Sequence, residues 1–316
     1  MEYLRNLKVV DQKNRSWGEG KISIVNDEMK VYFPKKTGMK YQAYSYPLDF
    51  KKRLKLVDEN ADIALKIDEA IWFEEAEKES LAFKYNLCDG GCSDTKIGFD
   101  GVCSDEFIKN NIKNAGRAWC NKSPCKEYLD GKKTREEIDK AYKDGAFFCY
   151  ESRLMKDWKA SVGVDDNGRP RRLGSNVCKG LAVITSVDSS RDEKNRFIFA
   201  VFLILSQEYG DDSQEGFVSA SNGKEKEYCI VLDREEAKKM KFWNYYTNPN
   251  KPDKIIWGTG LYRFISYERS ARILKDIVDI KTNEEEKKKA AELLEVFCEL
   301  HDIKEVPKRD GALTLT

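Results

Sequence analysis

A single histidine, His301, stands in a chain of 316 residues. That scarcity excludes the H-E-x-x-H zinc-protease signature and leaves no histidine in reach to activate Cys103, which lies at a helix start, as a nucleophile. The phosphate-cradling P-loop and the G-x-S-x-G nucleophile turn are also missing. "GEG" and "GTG" lack the rest of a dinucleotide fingerprint. Acidic-x-Lys pieces such as "EKEY" are what chance supplies in a chain with 35% charged residues, so they assign no nuclease. No apolar run approaches the ~20 residues that cross a bilayer. The opening "MEYLRNLKVV" has neither the apolar core nor the cleavage site of a secretory signal, so a cytoplasmic protein is expected, without membrane attachment. Net charge is nearly absent as well, at +1, which argues neither for nor against a nucleic-acid partner but leaves room for a local basic face. Internal repeats are absent.

What is present is aromatic and sulfur-rich. Fifteen Tyr, fifteen Phe and six Trp argue for packed cores rather than disorder. Nine cysteines is an odd number, and a reducing cytosol keeps thiols free, so a disulfide framework is not expected.

The pattern divides the chain into three parts and predicts an α+β protein. Residues 1–57 hold "GKISIV", "EMKVYFP" and "KYQAYSY", short β-branched and aromatic runs between turn signals, as in a small antiparallel barrel. Residues 58–159 read as a helical, cysteine-rich region. It begins with a helix over about 58–85, whose Ala64, Ile67, Ala70 and Ile71 share a face. Ser104 caps a further helix that stops at Gly116. Thr134 with Glu137 forms a capping box for a helix ending at Gly145. Residues 160–316 return to apolar strands ("GLAVITSV", "RFIFAVFLIL", "EYCIVL"), a helix boxed by Asp233 and Glu236, the strand "IIWGTGLYRFI" with a glycine break, the helix "SYERSARILKDIVDI", and a last helix capped by Thr282 with Glu285. "GVDDNGRPRRLGSN" reads as a linker.

Cys88, Cys92, Cys103, Cys120, Cys125 and Cys149 crowd into the middle region. Thiolates without histidine suit zinc or an iron–sulfur cluster. The expected ligands are Cys103, Cys120, Cys125 and Cys149, with Cys88 as the substitute. Zinc is the first choice and a 4Fe-4S cluster the alternative, since no tight two-residue knuckle is present. Long spacers around one close pair resemble the iron–sulfur insertion of some DNA-repair helicases. Cys178, Cys229 and Cys298 fall on strand or helix patterns and read as core.

Two further resemblances set the functional expectation. Trp17, Gly18, Gly20 and Ile22, a strand ending in Val31 and Phe33, and the following Tyr-to-Pro strand exit resemble the SH3- or Tudor-like small barrel at the end of UvrD-type bacterial helicases. The order of elements from "LAVITSV" to "GLYRFISYERSARIL" resembles a PUA-like mixed barrel of the EVE or ASCH kind, and the whole is similar to bacterial proteins combining such parts. The resemblance implies nucleic-acid binding, DNA or RNA, with recognition of a base that can be modified. Independently of it, Phe242, Trp243, Tyr245, Tyr246, Trp257 and Tyr262 offer flat faces for stacking. Arg169, Arg171, Arg172 and Lys179 suit phosphates, and Arg263 suits a pocket rim. The alternatives are an adaptor whose barrel and charged helices dock a nuclease or helicase, and an iron–sulfur enzyme acting on nucleic acid.

Overall fold

The computed structural model describes residues 2–25, 28–58, 60–74, 79–165, 167–188, 192–220 and 228–314, so "EKEY" lies largely outside the described residues. Its contacts divide the chain into two compact units, Met1–Ala76 and Glu77–Thr316.

In the first unit, alternating apolar residues build five antiparallel strands: β1 (Lys8–Asp11), β2 (Glu19–Val25), β3 (Glu28–Tyr32), β4 (Tyr41–Tyr44) and β5 (Leu54–Leu56). A short helix α1 (Leu48–Lys52) precedes β5, and α2 (Ala61–Glu74) follows it. The ladder order is β4-β3-β2-β1-β5, and among the described residues no pairing joins β4 to β5, so the sheet is open rather than a closed barrel. Ile22 and Ile24 of β2 and Met29 and Val31 of β3 point inward with Val9, Phe33, Leu54 and Ile67 of α2. Gly20 is required by this packing. A methyl group on it would lie 2.5 Å from Val31 Cγ1 and from the Phe33 ring, because Trp17 and Phe33 close the strand entrance with rings 5.4 Å apart.

Asp11, fully buried at the end of β1, fastens β1, β4 and the α1–β5 junction. It accepts from Tyr44 Oη at 2.7 Å, from the Lys13 amide at 2.9 Å and from the Arg53 guanidinium. Burial alone would raise its pKa, but the bonds from Arg53, Tyr44, Asn14 and Lys13 outweigh it and hold the carboxyl at about 2.

The second unit is a mixed α+β assembly. Its main sheet is ordered β12-β9-β8-β6-β13, from β6 (Glu79–Lys84), β8 (Leu181–Ser186), β9 (Phe197–Leu203), β12 (Cys229–Val231) and β13 (Tyr262–Ser266). The stretch at 79–84, read from sequence as the end of a helix, is thus a strand. It pairs parallel with β8 and antiparallel with β13. Buried hydroxyls secure the parallel seam: Ser80 Oγ accepts from the Leu181 amide, and Thr185 and Ser186 donate to the Phe83 and Tyr85 carbonyls.

Between β6 and β8 the chain makes a long excursion through five short helices, α3 (Asp105–Lys109), α4 (Ala118–Lys122), α5 (Pro124–Leu129), α6 (Arg135–Lys143) and α7 (Tyr150–Asp157), and then β7 (Lys159–Ser161). The cysteine-rich region is therefore an insertion within this sheet's connectivity. Ser104, Thr134 and Asp233 cap α3, α6 and α8 (Arg234–Lys239), while α3 runs on as a π turn over Asn110–Asn114 before Gly116 ends it. A small sheet, β10 (Ser206–Glu208), β11 (Phe217–Ser219) and β7, flanks the main one. Helices α9 (Tyr267–Ile280) and α10 (Glu284–Leu300) complete the unit; α10 is capped by Asn283, one residue beyond the expected Thr282. Among the described residues no helix is long and apolar enough to cross a membrane.

Lys281, at the end of α9, is buried with Glu236. Its Nζ donates to Glu236 Oε2 at 2.8 Å, to Glu286 Oε2 at 2.6 Å and to the Val231 carbonyl at 2.7 Å. Lys281→Ala strands the Glu236 charge in the interior and is expected to cost about 3–5 kcal/mol in a denaturant titration. For Asp11 the folded pKa lies below the unfolded one. Its stabilisation is complete above about pH 4 and disappears as pH falls toward 2, a contribution of about 2 kcal/mol. Asp11→Asn is expected to abolish that acid-side loss in melts of residues 1–76.

Candidate nucleic-acid interface and thiol cluster

Each predicted site residue has a definite place. Cys103 lies just before the Ser104 cap of α3, Cys120 is in α4, Cys125 in the first turn of α5, and Cys149 is the residue capping α7. These four, scattered along the insertion, line one small cavity of about 20 Å³. Val102, Ile108 and Phe148 supply its apolar wall, with Asn111, Ser123 and Ser152 between them. Cys88, buried at the end of the segment following β6, is not in the lining but meets Cys103 Sγ at 3.5 Å. All nine cysteines are free thiols, and Cys92 is exposed.

The environment keeps these thiols protonated in the absence of a counter-charge. The bond to Cys88, then burial, drives the Cys103 pKa up. Burial, followed by Glu151 and by the neighbouring thiols Cys103 and Cys125, pushes Cys120 up to about 12. Burial raises Cys125 and Cys149 as well, and Cys103 adds to both shifts. Arg117 opposes the shift at Cys120 and Arg135 at Cys125. Among the described residues, no three His, Cys, Asp or Glu side chains are grouped tightly enough, as they stand, to hold a metal ion.

The loop leading to Cys103 is held by backbone contacts that only glycine permits. Gly90 packs on Gly101 so closely that a methyl group would fall 2.0 Å from the Gly101 carbonyl oxygen. Asp100 N donates to Gly90 O, and Gly101 N to Ser152 O on α7. Phe99, at φ 69°, stacks on Phe199 of β9 with ring centres 4.0 Å apart.

Of the aromatic residues expected to stack on a base, Phe242, Trp243, Tyr245, Tyr246 and Trp257 belong instead to the core, and Tyr262 is half-buried in β13. Trp243, Tyr245 and Trp257 are 0–1% exposed. Arg196 and Arg263 lie over the Trp257 ring at 4.8 and 5.4 Å, and Phe242 packs on it at 5.2 Å. Tyr245 donates to the buried Asp276 at 2.7 Å. Buried and packed in this way, these rings fill volume in the interior. His301 is likewise structural: its ring stacks on Tyr267 at 3.5 Å and its Nε2 meets the Lys179 carbonyl at 2.8 Å.

The basic residues separate. Arg172 is exposed and paired with Asp212 at 2.7 Å. Arg169 is exposed in a turn closed by Asp165. Lys179 sits in a left-handed turn before β8. Arg171 and Arg263, distant in sequence, come together. A methyl group on Gly260 would lie 3.4 Å from Arg263 Nη1 and 3.7 Å from Arg171 Nη1. Arg263 donates to the Trp257, Thr259 and Tyr262 carbonyls, Arg171 to the Val164 carbonyl at 3.2 Å. Among the described residues neither guanidinium has a carboxylate partner.

Two surface features were not anticipated from sequence. Trp119 and Phe147, 39% and 47% exposed, pack edge-on against Tyr150, which also meets Phe217. A cleft of about 610 Å³ is lined by Leu87, Phe107 and Phe197 together with Arg234, Lys238 and Lys241 and two carboxylates, Asp89 and Asp188. Residues far apart in the chain supply both, the cleft drawing on α3, β9 and α8, so no local signal marked them. No family model, no curated protein and no solved structure matches the chain.

Trp243→Ala is expected to lower stability by about 3–5 kcal/mol, as removal of a buried aromatic does. A thermal or denaturant melt checks it; a variant as stable as the parent would return Trp243 to the surface.

Proposed function

We propose that the chain is a nucleic-acid-binding protein of the cytoplasm. The reading rests on the convergence of Arg171 and Arg263 at Gly260. Two like charges held together without a carboxylate repel one another, and an anion placed between them relieves that cost. Guanidinium pairs favour phosphate because their donors match its oxygens. Surface aromatics in the same unit, Trp119 and Phe147, supply faces on which single-stranded bases stack. The pocket for a base, normal or modified, moves from Trp243 and Trp257 to the cleft of Phe107 and Phe197, whose volume suits a nucleotide. In this reading the second unit is a PUA-like fold and the first an SH3-like small barrel that adds a backbone or partner contact. Nine free thiols are in keeping with a reducing compartment.

A second reading, an adaptor for a protein partner, draws on the first unit. Phe50, Leu54, Leu56, Ala64, Ile67 and Ile71 line an apolar groove of about 800 Å³ between β5 and α2.

Oligonucleotide binding measured across a salt series separates the two. Affinity is expected to fall steeply with added salt as counterion release is lost, and Arg171→Ala is expected to weaken binding and reduce the log–log salt slope by about 1. Binding that ignores both salt and Arg171→Ala would leave the adaptor reading in its place.

A further inference from the structure

We infer that Cys103, Cys120, Cys125 and Cys149 are the four ligands of a thiophilic metal centre, a zinc ion or an iron–sulfur cluster, and that Cys88 supports it from outside as a hydrogen-bond donor to Cys103 Sγ. This goes beyond the nucleic-acid reading and stands or falls separately from it.

Placement carries the assignment. Two short helices, α4 and α5, and the approaches to two others, α3 and α7, each contribute one thiol to the same small cavity. Cysteines recruited only as small hydrophobes would pack against carbon and leave no common space. Here they surround one of about 20 Å³, room for a single water-sized body. The surroundings also need a tie. Helices α3 and α4 have five residues each and α5 six, far below the length at which a helix persists unaided. The apolar cluster beneath them has only five fully buried members, Val102, Ile108, Ile112, Ile138 and Phe148. A metal bound by four thiolates supplies folding free energy that such a small core does not.

Four thiolates around Zn²⁺ leave a net charge of −2; Arg117 and Arg135 favour ionised Cys120 and Cys125, while Glu151 acts against ionisation of Cys103, Cys120 and Cys149. When zinc or an already assembled cluster binds, each S–H loses its proton to solvent and each sulfur's freed pair forms a bond to the metal, with no change of oxidation state. The Cys88 contact then reverses. In the thiol form Cys103 Sγ donates to Cys88 Sγ. Once Cys103 is a thiolate, only Cys88 has a proton to give, and it takes the outer-shell role that orients metal ligands.

The two candidate centres place opposite demands on the cavity. Zinc at about 2.3 Å from each sulfur requires sulfurs about 3.8 Å apart. The thiols must close in, which a change of χ1 rotamer, moving a sulfur by about 3 Å, accomplishes. A cluster spans more widely separated sulfurs but needs the cavity to open. Both use the same four ligands.

The test uses the full chain purified without oxygen. Metal and sulfide analysis with a visible spectrum is expected to find about one zinc and no colour, or about four irons with sulfide and broad visible absorption; either outcome supports the centre and identifies it. Cys125→Ser and Cys149→Ser are expected to lose the metal, while Cys88→Ser and the exposed Cys92→Ser retain it. Retention by Cys149→Ser with loss in Cys88→Ser would overturn the choice of fourth ligand. Should the serine variants fail to fold, thiol counting on the unaltered protein decides: stripping the metal is expected to expose four additional reactive thiols. A chain that carries no metal, and takes up neither zinc nor iron with sulfide, overturns the inference whatever its oligonucleotide binding.

Discussion

The second unit depends on one seam, the parallel pairing of β6 with β8. Parallel neighbours need a crossover, and most crossovers are a single helix. Here the crossover has grown into the whole cysteine-rich region, with its two ends held side by side by the ladder and by the hydroxyls of Ser80, Thr185 and Ser186. Everything between Lys84 and Leu181 is therefore a loop with fixed ends, and its short helices need a local source of order. The thiol cavity, the Gly90–Gly101 contact and the Phe99–Phe199 stack are where that order is concentrated.

The same insertion connects the thiols to the cleft. Asp89 and Cys92 of the loop and Phe107 of α3 form one wall, and Arg234 at the start of α8 reaches back through its amide to the Thr95 carbonyl and through its side chain to that of Ser93. The segment from Cys88 to Cys103 thus contributes Asp89 and Cys92 to the cleft and Cys103 to the thiol cavity.

Local chemistry was legible in the sequence, and partnership was not. The caps at Ser104, Thr134 and Asp233 could be read because a cap and the turn it closes are written within four residues. The last helix reads from sequence as capped by Thr282 with Glu285, and the structure caps it with Asn283, whose side chain accepts from the Glu286 amide. Strand β6 was hidden because its partner β8 lies far along the chain and its polar flank continues a helical pattern. The density of cysteines pointed to Cys103, Cys120, Cys125 and Cys149, which line one cavity. Aromatic content could not distinguish a platform from a core: Trp243 and Trp257 have the composition of a stacking surface and the burial of an interior. Conversely, the exposed rings of Trp119 and Phe147 lie in a five-residue helix and in a loop, which carry no periodic signal.

The long crossover has a consequence for synthesis. As the chain leaves the ribosome, β6 emerges with neither sheet neighbour available, since β8 and β13 are both still to be made. Its four central residues, Ser80 to Phe83, are all buried in the finished unit, so until Leu181 is translated an apolar strand with two open edges is held in solution. Contacts of such sequence separation form late and slowly. If the insertion condenses around its thiols first, it shortens the effective distance between the two strands, and the region of the chain with the least apolar core becomes the one that sets the order of assembly.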